Sequence, residues 1–216
     1  MRAFWSDPYL WLHAAGVAAV PLWLLVCLLG FAVGNPSLPP WLELGLVAIA
    51  GVAPIAWMQS QRPFCIYSLL VVALRPERLT EDQRKVLALF RARRNPIWIA
   101  GGALLLFLVL KLLYDIAPIA SEITPFPPEW RGVGLLIAAI GFLGSSLFLE
   151  VPLSVLQVML ASDRDFASAA AVPVEQISKN FLIFGVRVNQ ILPAIEPELA
   201  HSETKSTASE SGATSV

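Results

Sequence analysis

The sequence predicts an all-α integral membrane protein with four transmembrane helices, cytoplasmic amphipathic helices and a disordered C-terminal tail. Three observations lead there. Apolar residues make up 56% of the chain and charged residues 14%, against about 25% charged in an average soluble domain. Four apolar stretches reach or approach the roughly 20 helical residues that cross a hydrocarbon core. Basic residues also gather on one side: Arg62, Arg75, Arg78, Arg84, Lys85, Arg91, Arg93 and Arg94 are eight of the fifteen Lys and Arg. Asn35 to Pro40 carries none, and Asp115 to Arg131 carries only Arg131. Because Lys and Arg are retained on the cytoplasmic side, both ends of the chain are expected there. The net charge of -1 adds nothing, since the polarity is spatial rather than global.

The spans fall at about 10–33, 41–58, 97–114 and 132–160. The start, MRAFWSDPYLW, lacks the pattern of a cleavable signal peptide, so the first span is expected to stay in the mature protein. Trp5, Tyr9, Trp11, Trp57 and Trp98 suit an aromatic belt at the inner interface, and Trp41, Tyr114 and Trp130 suit one at the outer interface. Pro21 lies mid-span and removes a backbone hydrogen bond, which predicts a bend that neighbouring helices cover. NPSLPP at Asn35–Pro40 is a short turn that makes the first two spans antiparallel. Gly30 with Gly34, Gly134 with Ala138 and Gly141 with Ser145 are small-xxx-small pairs that permit close helix packing.

Within the basic loop 59–96, PFCIYSLLVVAL at Pro63–Leu74 is apolar but too short to span. It is expected to be an interfacial or re-entrant helix, or a continuation of the second span. Thr80 and Gln83 match a capping box, with Glu81 and Asp82 favouring the positive end of the helix that follows. Asn95-Pro96 stops that helix and opens the third span. After the fourth span, Val174, Ile177, Phe181, Phe184, Val188 and Ile191 form a helical stripe. Gly185 and the β-rich run Phe181–Val188 argue for a strand instead; the stripe tips the expectation towards a helix on the membrane or on the basic loop. The resulting organisation is a membrane domain over 1–161, a membrane-associated segment over 162–193 and a low-complexity tail over 194–216, with little to bury.

Candidate chemistry is sparse. Glu150 is the one charge inside the fourth span and is a candidate ion or proton site. Counted from Gly132 it lies roughly 27 Å along the helix, which favours a hydrated carboxylate near the inner interface where Pro152 bends the helix. Lys111 is expected to snorkel, and His13 to be a hydrogen-bonded belt residue. Paired histidines for a haem are lacking, as are a P-loop, a Rossmann fingerprint, HExxH and a nucleophile elbow, so no enzymatic activity and no cofactor are expected. Cys27 and Cys65 have no metal-type spacing and are not expected to pair. Arg84, Lys85, Arg91, Arg93 and Arg94, on a capped helix with an apolar face, are candidates for contact with a protein partner or with anionic lipid. Nothing points to nucleic acid.

FWSDPYLWLH (Phe4–His13), RPFCIYSLL (Arg62–Leu70), LTEDQR (Leu79–Arg84) and ILPAIEPE before a Ser/Thr-rich tail together resemble the cyanobacterial low-complexity tail membrane proteins. The resemblance implies an integral membrane protein of an oxygenic phototroph, in the thylakoid, and carries over no catalytic residues. The function expected is non-enzymatic assistance in assembling or stabilising a membrane complex, photosynthetic by implication. The alternative is a small transporter or ion-conducting subunit built around Glu150.

Overall fold

A computed structural model describes residues 3–69, 71–92 and 95–192. The tail at 194–216, expected to be disordered, lies outside them. Among the described residues four helical units are long and apolar enough to cross a membrane: Pro8–Phe31, Pro40–Gln61, Ile97–Ala120 and Pro128–Met159. The first is α1 (Pro8–Ala15), a 3-10 stretch at Gly16–Ala19 and α2 (Val20–Phe31). Pro21 has no N–H to offer the turn before it, so the irregular segment falls where the sequence places a bend. The second span is α3 (Pro40–Gln61), the third is built on α5 (Pro96–Ile116), and the fourth on α6 (Arg131–Met159).

α6 is the common wall of the bundle, and its close approach to α2 depends on missing side chains. The backbone at Gly30 lies against Gly134 and Ala138, and Gly141 lies against the backbone of Cys27 and Trp23. Gly144 faces the Trp23 ring. The GxxxG reading holds for its first glycine only: Gly34 has left the helix with φ +62°, packed on Pro128 at the start of the 3-10 turn Pro128–Trp130. Around this seam Cys27, Phe31, Val47, Leu106, Leu110 and Phe142 form a buried core.

At the basic end the chain builds a folded layer. α4 (Glu81–Ala92), α7 (Asp163–Ser168) and α8 (Val174–Asn180) accompany three strands: β1 (Ser68–Leu69), β2 (Val72–Leu74) and β3 (Val186–Val188). The order is β1-β2-β3, with β1 antiparallel to β2, and β3 parallel to β2 in the register Val72↔Val186 to Leu74↔Val188. Pro63–Leu74 is therefore a hairpin and not the helix or re-entrant segment its length suggested. The reason is long-range: residues 181–188 return to satisfy its backbone, through Cys65 N–H to Leu182 O at 3.0 Å and Arg75 N–H to Val188 O at 3.0 Å. The same pairing splits the 174–191 stripe, which is helical only over Val174–Asn180. Gly185, at φ +95°, lets the chain pass close to the Val71 backbone.

The layer has its own core of Ile66, Tyr67, Leu87, Phe90, Ile177 and Phe181, continuous with Leu10 of the first span and Val155 and Val158 of the fourth. Asp7 ties the parts together. Its carboxylate caps α1 by accepting the Tyr9 N–H at 2.9 Å and accepts the Tyr67 hydroxyl at 2.8 Å. Burial raises the Asp7 carboxyl above its usual range, against the pull of these hydrogen bonds, and pushes the Tyr67 phenol well up. The Trp5 indole donates to Met159 O at 2.9 Å. The capping box is present, Thr80 N–H to Gln83 Oε1 at 3.0 Å and Gln83 N–H to Thr80 Oγ1 at 3.2 Å. A second one at Ser162 and Asp165 opens α7.

Gly30→Val forces backbone apart from backbone and should cost about 1–3 kcal/mol by overpacking, read as a lower unfolding temperature of the solubilised protein. Gly101→Ala, which meets nothing within 4 Å, should leave that temperature unchanged or slightly raised.

Candidate functional site

Two buried polar clusters stand out in the apolar bundle, one at each end. At the end away from the basic layer, Arg131 opens α6 and Glu43 lies in the first turn of α3. Their side chains form an ion pair, 7% and 0% exposed respectively. Glu43 also accepts the Ser37 N–H at 3.0 Å and the Tyr114 hydroxyl at 3.0 Å. Arg131 Nη1 donates to Phe31 O at 2.6 Å and Val33 O at 3.0 Å. The pair thus satisfies backbone groups at the end of α2 and in the following turn while holding the third and fourth spans. Each lone pair and N–H used this way offsets the desolvation that makes buried ion pairs costly. In the sequence Arg131 stands out only as the exception to the charge bias, and Glu43 as a charge near the outer end of the second span. The readable signal was their coincidence: the single basic residue of its loop and the single charge of the second span, both at the same membrane level.

The second cluster lies between α3, α5 and α6, on the basic side of the bundle. Glu150 is 3% exposed, which overturns the expectation of a hydrated interfacial carboxylate. α6 continues nine residues past Glu150 to Met159 and its last turns belong to the core of the layer. Distance along the helix therefore leads into protein and not into water. Both carboxylate oxygens are buried without a hydrogen-bond partner, as are Gln59 Oε1 and Ser146 Oγ. Glu150, Gln59, Ser146 and Ser60 share a cavity of about 290 Å³ with apolar residues of α3 and α5. The carboxylate fits because Gly102 has no side chain: a Cβ there would stand 2.6 Å from Glu150 Oε1. Below it, Gln59 Nε2 donates to Ser154 Oγ at 3.3 Å, and Gln157 Oε1 accepts the Asn95 N–H at 2.9 Å.

The described basic candidates differ in exposure and pairing. Arg84 is half-buried, its Nε enclosed without a partner and its carbonyl accepting the Val172 N–H at 3.4 Å. Lys85 pairs with Glu81 at 3.2 Å and Asp82 at 3.8 Å and stands 6.0 Å from the centre of the Phe166 ring. Arg91 is exposed. Arg93 and Arg94 lie outside the described residues. His13 is the hydrogen-bonded residue expected, with Nδ1 at 2.9 Å from Tyr9 O and Nε2 at 3.3 Å from Ser68 O. Lys111 pairs with Asp115 one turn on, both half exposed.

Arg131→Gln should cost about 3–5 kcal/mol, because it leaves Glu43 buried and unpaired. Adding Glu43→Gln to the same chain should recover much of that loss. Thermal unfolding of the solubilised variants measures both; equal loss in the single and double variants would exclude a coupled pair.

The family model described as low-complexity tail membrane protein-like matches residues 6–193. No curated protein and no solved structure matches the chain. The matched stretch runs from the cap of the first span through all four spans and the whole basic layer, so the chain belongs to the low-complexity tail membrane protein-like family.

Proposed function

We propose that this protein is non-enzymatic and assists the assembly or stability of a membrane complex, a photosynthetic complex of a cyanobacterial thylakoid being the natural candidate. Its basic layer faces the cytoplasm in this reading and docks the partner. One observation carries it: the basic loop is folded on a core shared with residues 162–192 and with two spans. A charge bias that served orientation alone needs no such core, because the bias is counted in Lys and Arg and not in structure. The layer instead holds Arg91 of α4 and Arg187 of β3 in exposed positions on fixed elements. It also leaves Val71 of the hairpin turn and Val186 of β3 about 70% exposed, an apolar patch next to Arg187. Arg91, Arg93, Arg94, Arg84 and Lys85 remain the first set to test for partner or lipid contact.

The burial of Glu150 favours a second reading, a small transporter or ion-conducting subunit. Glu150→Gln at unchanged abundance separates the two: a transport defect with the partner still bound favours transport.

Reversing Arg91 and Arg93 to Glu should reduce recovery of a stoichiometric partner at least tenfold at matched membrane abundance. Truncation after Glu198 should change it less than twofold. Unchanged recovery in the Arg91/Arg93 variant would make that pair a lipid-facing signal.

Orientation is testable by impermeant thiol labelling of oriented vesicles. Cys27 and Cys65 are buried, and burial pushes the Cys65 thiol up to about 11. At pH 8 about one Cys65 in a thousand is thiolate, so the native background should be low. Ser178→Cys, on the layer, should label from the cytoplasmic side, and Ser121→Cys, on the loop between the third and fourth spans, from the other. Labelling of both from one side would contradict the four-span arrangement.

A further inference from the structure

Four buried acceptor oxygens, on three side chains that border one cavity, have no donor among the described residues. Glu150 supplies two carboxylate oxygens, Gln59 its Oε1 and Ser146 its Oγ, and none has a hydrogen-bond partner. Glu150 and Gln59 are 3% and 1% exposed, and Ser146 is 2% exposed. All three border the same cavity of about 290 Å³, whose remaining wall is mainly apolar. Two features point to a ligand. A carboxylate left unpaired in low dielectric is costly, and a transmembrane carboxylate commonly marks a binding or transport site. The space also exceeds what an unhydrated ion needs, since a water occupies about 30 Å³, while small-molecule pockets begin near about 300 Å³.

The cavity's place in the bundle says from where the ligand comes. It lies between α3 and α5 with α6 as its floor. Ala56 and Ala100, on its rim, are exposed on spans whose outer faces are apolar. The opening therefore faces the lipid, and the entrant is a molecule already dissolved in the bilayer. The donor set says what its polar end must be. Among the described residues no group of three or more His, Cys, Asp or Glu could hold a metal ion. What is present is one carboxylate with neutral oxygens around it. A primary ammonium carries three N–H donors and one positive charge, so it supplies a counter-charge to the carboxylate and donors to the neutral oxygens.

We propose that the cavity bounded by Gln59, Ser146 and Glu150 binds a membrane-borne amphiphile with a primary ammonium end, its apolar body lying between the second and third spans. The ammonium pairs with the Glu150 carboxylate and donates to Gln59 Oε1 and Ser146 Oγ. The missing side chain of Gly102 leaves room for Glu150 Oε1. A free long-chain amine and an ethanolamine lipid headgroup present the same chemistry. The site is independent of the partner-docking role of the basic layer, on which no step of the binding relies.

The full-length protein in phosphatidylcholine nanodiscs tests it, titrated with dodecylamine and followed by native mass spectrometry and unfolding temperature. Dodecylamine should bind saturably at one per chain and raise the unfolding temperature. Dodecanol, without charge, and dodecyltrimethylammonium, without N–H donors, should each bind at least tenfold more weakly. Glu150→Gln should weaken dodecylamine at least tenfold with the circular dichroism spectrum unchanged. Should that variant fail to fold, Ala103→Leu narrows the cavity while keeping Glu150, Gln59 and Ser146, and should block binding likewise. Nanodiscs containing phosphatidylethanolamine distinguish the sources: a retained ethanolamine lipid, lost in Ala103→Leu, identifies the headgroup, and dodecylamine binding alone identifies a free amine. Equal binding of dodecanol, a saturable shift with Na+ in place of the amine, or wild-type binding in Ala103→Leu would each overturn the proposal.

Discussion

The backbone-to-backbone contact between the first and fourth spans governs the rest of the molecule. Helices in lipid gain nothing from hydrophobic association, since acyl chains are as apolar as leucine, so they associate through close packing and through polar contacts. Gly30 against Gly134 and Ala138, and Gly141 against Cys27, bring α2 and α6 together over several turns. That seam fixes the rotation of α6, and with it the direction of every polar side chain it carries. Arg131 at one end and Glu150 towards the other are both aimed inward as a result, and both are buried.

Length then determines what happens beyond the seam. The helix Arg131–Met159 has 29 residues, more than the roughly 20 a bilayer requires. The surplus at the basic end carries Val155, Val158 and Met159 into the layer core. The first span contributes Tyr9 and Leu10 to the same core. Two membrane helices therefore supply the foundation on which α4, the hairpin and β3 are laid. The small sheet is too short to stand alone; a few strand residues become stable only against such a support.

The two polar clusters contrast in how their costs are met. Glu43 and Arg131 satisfy each other and several backbone groups, so their burial is compensated within the chain. Glu150 has no such compensation: a cavity, a glycine opposite and two further acceptors surround it. A structural carboxylate would be expected to resemble Glu43. That difference is the ground for proposing the interspan cavity as a site, while the Glu43–Arg131 pair is a clasp.

Local features of the sequence determined the spans, their order, the basic bias, the Thr80–Gln83 cap and the break near Pro21. Hydropathy, charge and cap chemistry are properties of short windows, and lipid permits few spanning structures other than helices. The hairpin at Pro63–Leu74 was not legible, because its hydrogen-bond partners arrive from residues 182–188, more than a hundred positions later. Of the clasp, whose two charges are 88 residues apart, the shared membrane level was legible but the contact was not. Glu150 was legible as a charge in a span but not as a buried one. Its exposure depends on the layer that covers the end of α6 and on Gly102 of another helix, and such proximity exists only once the chain is folded.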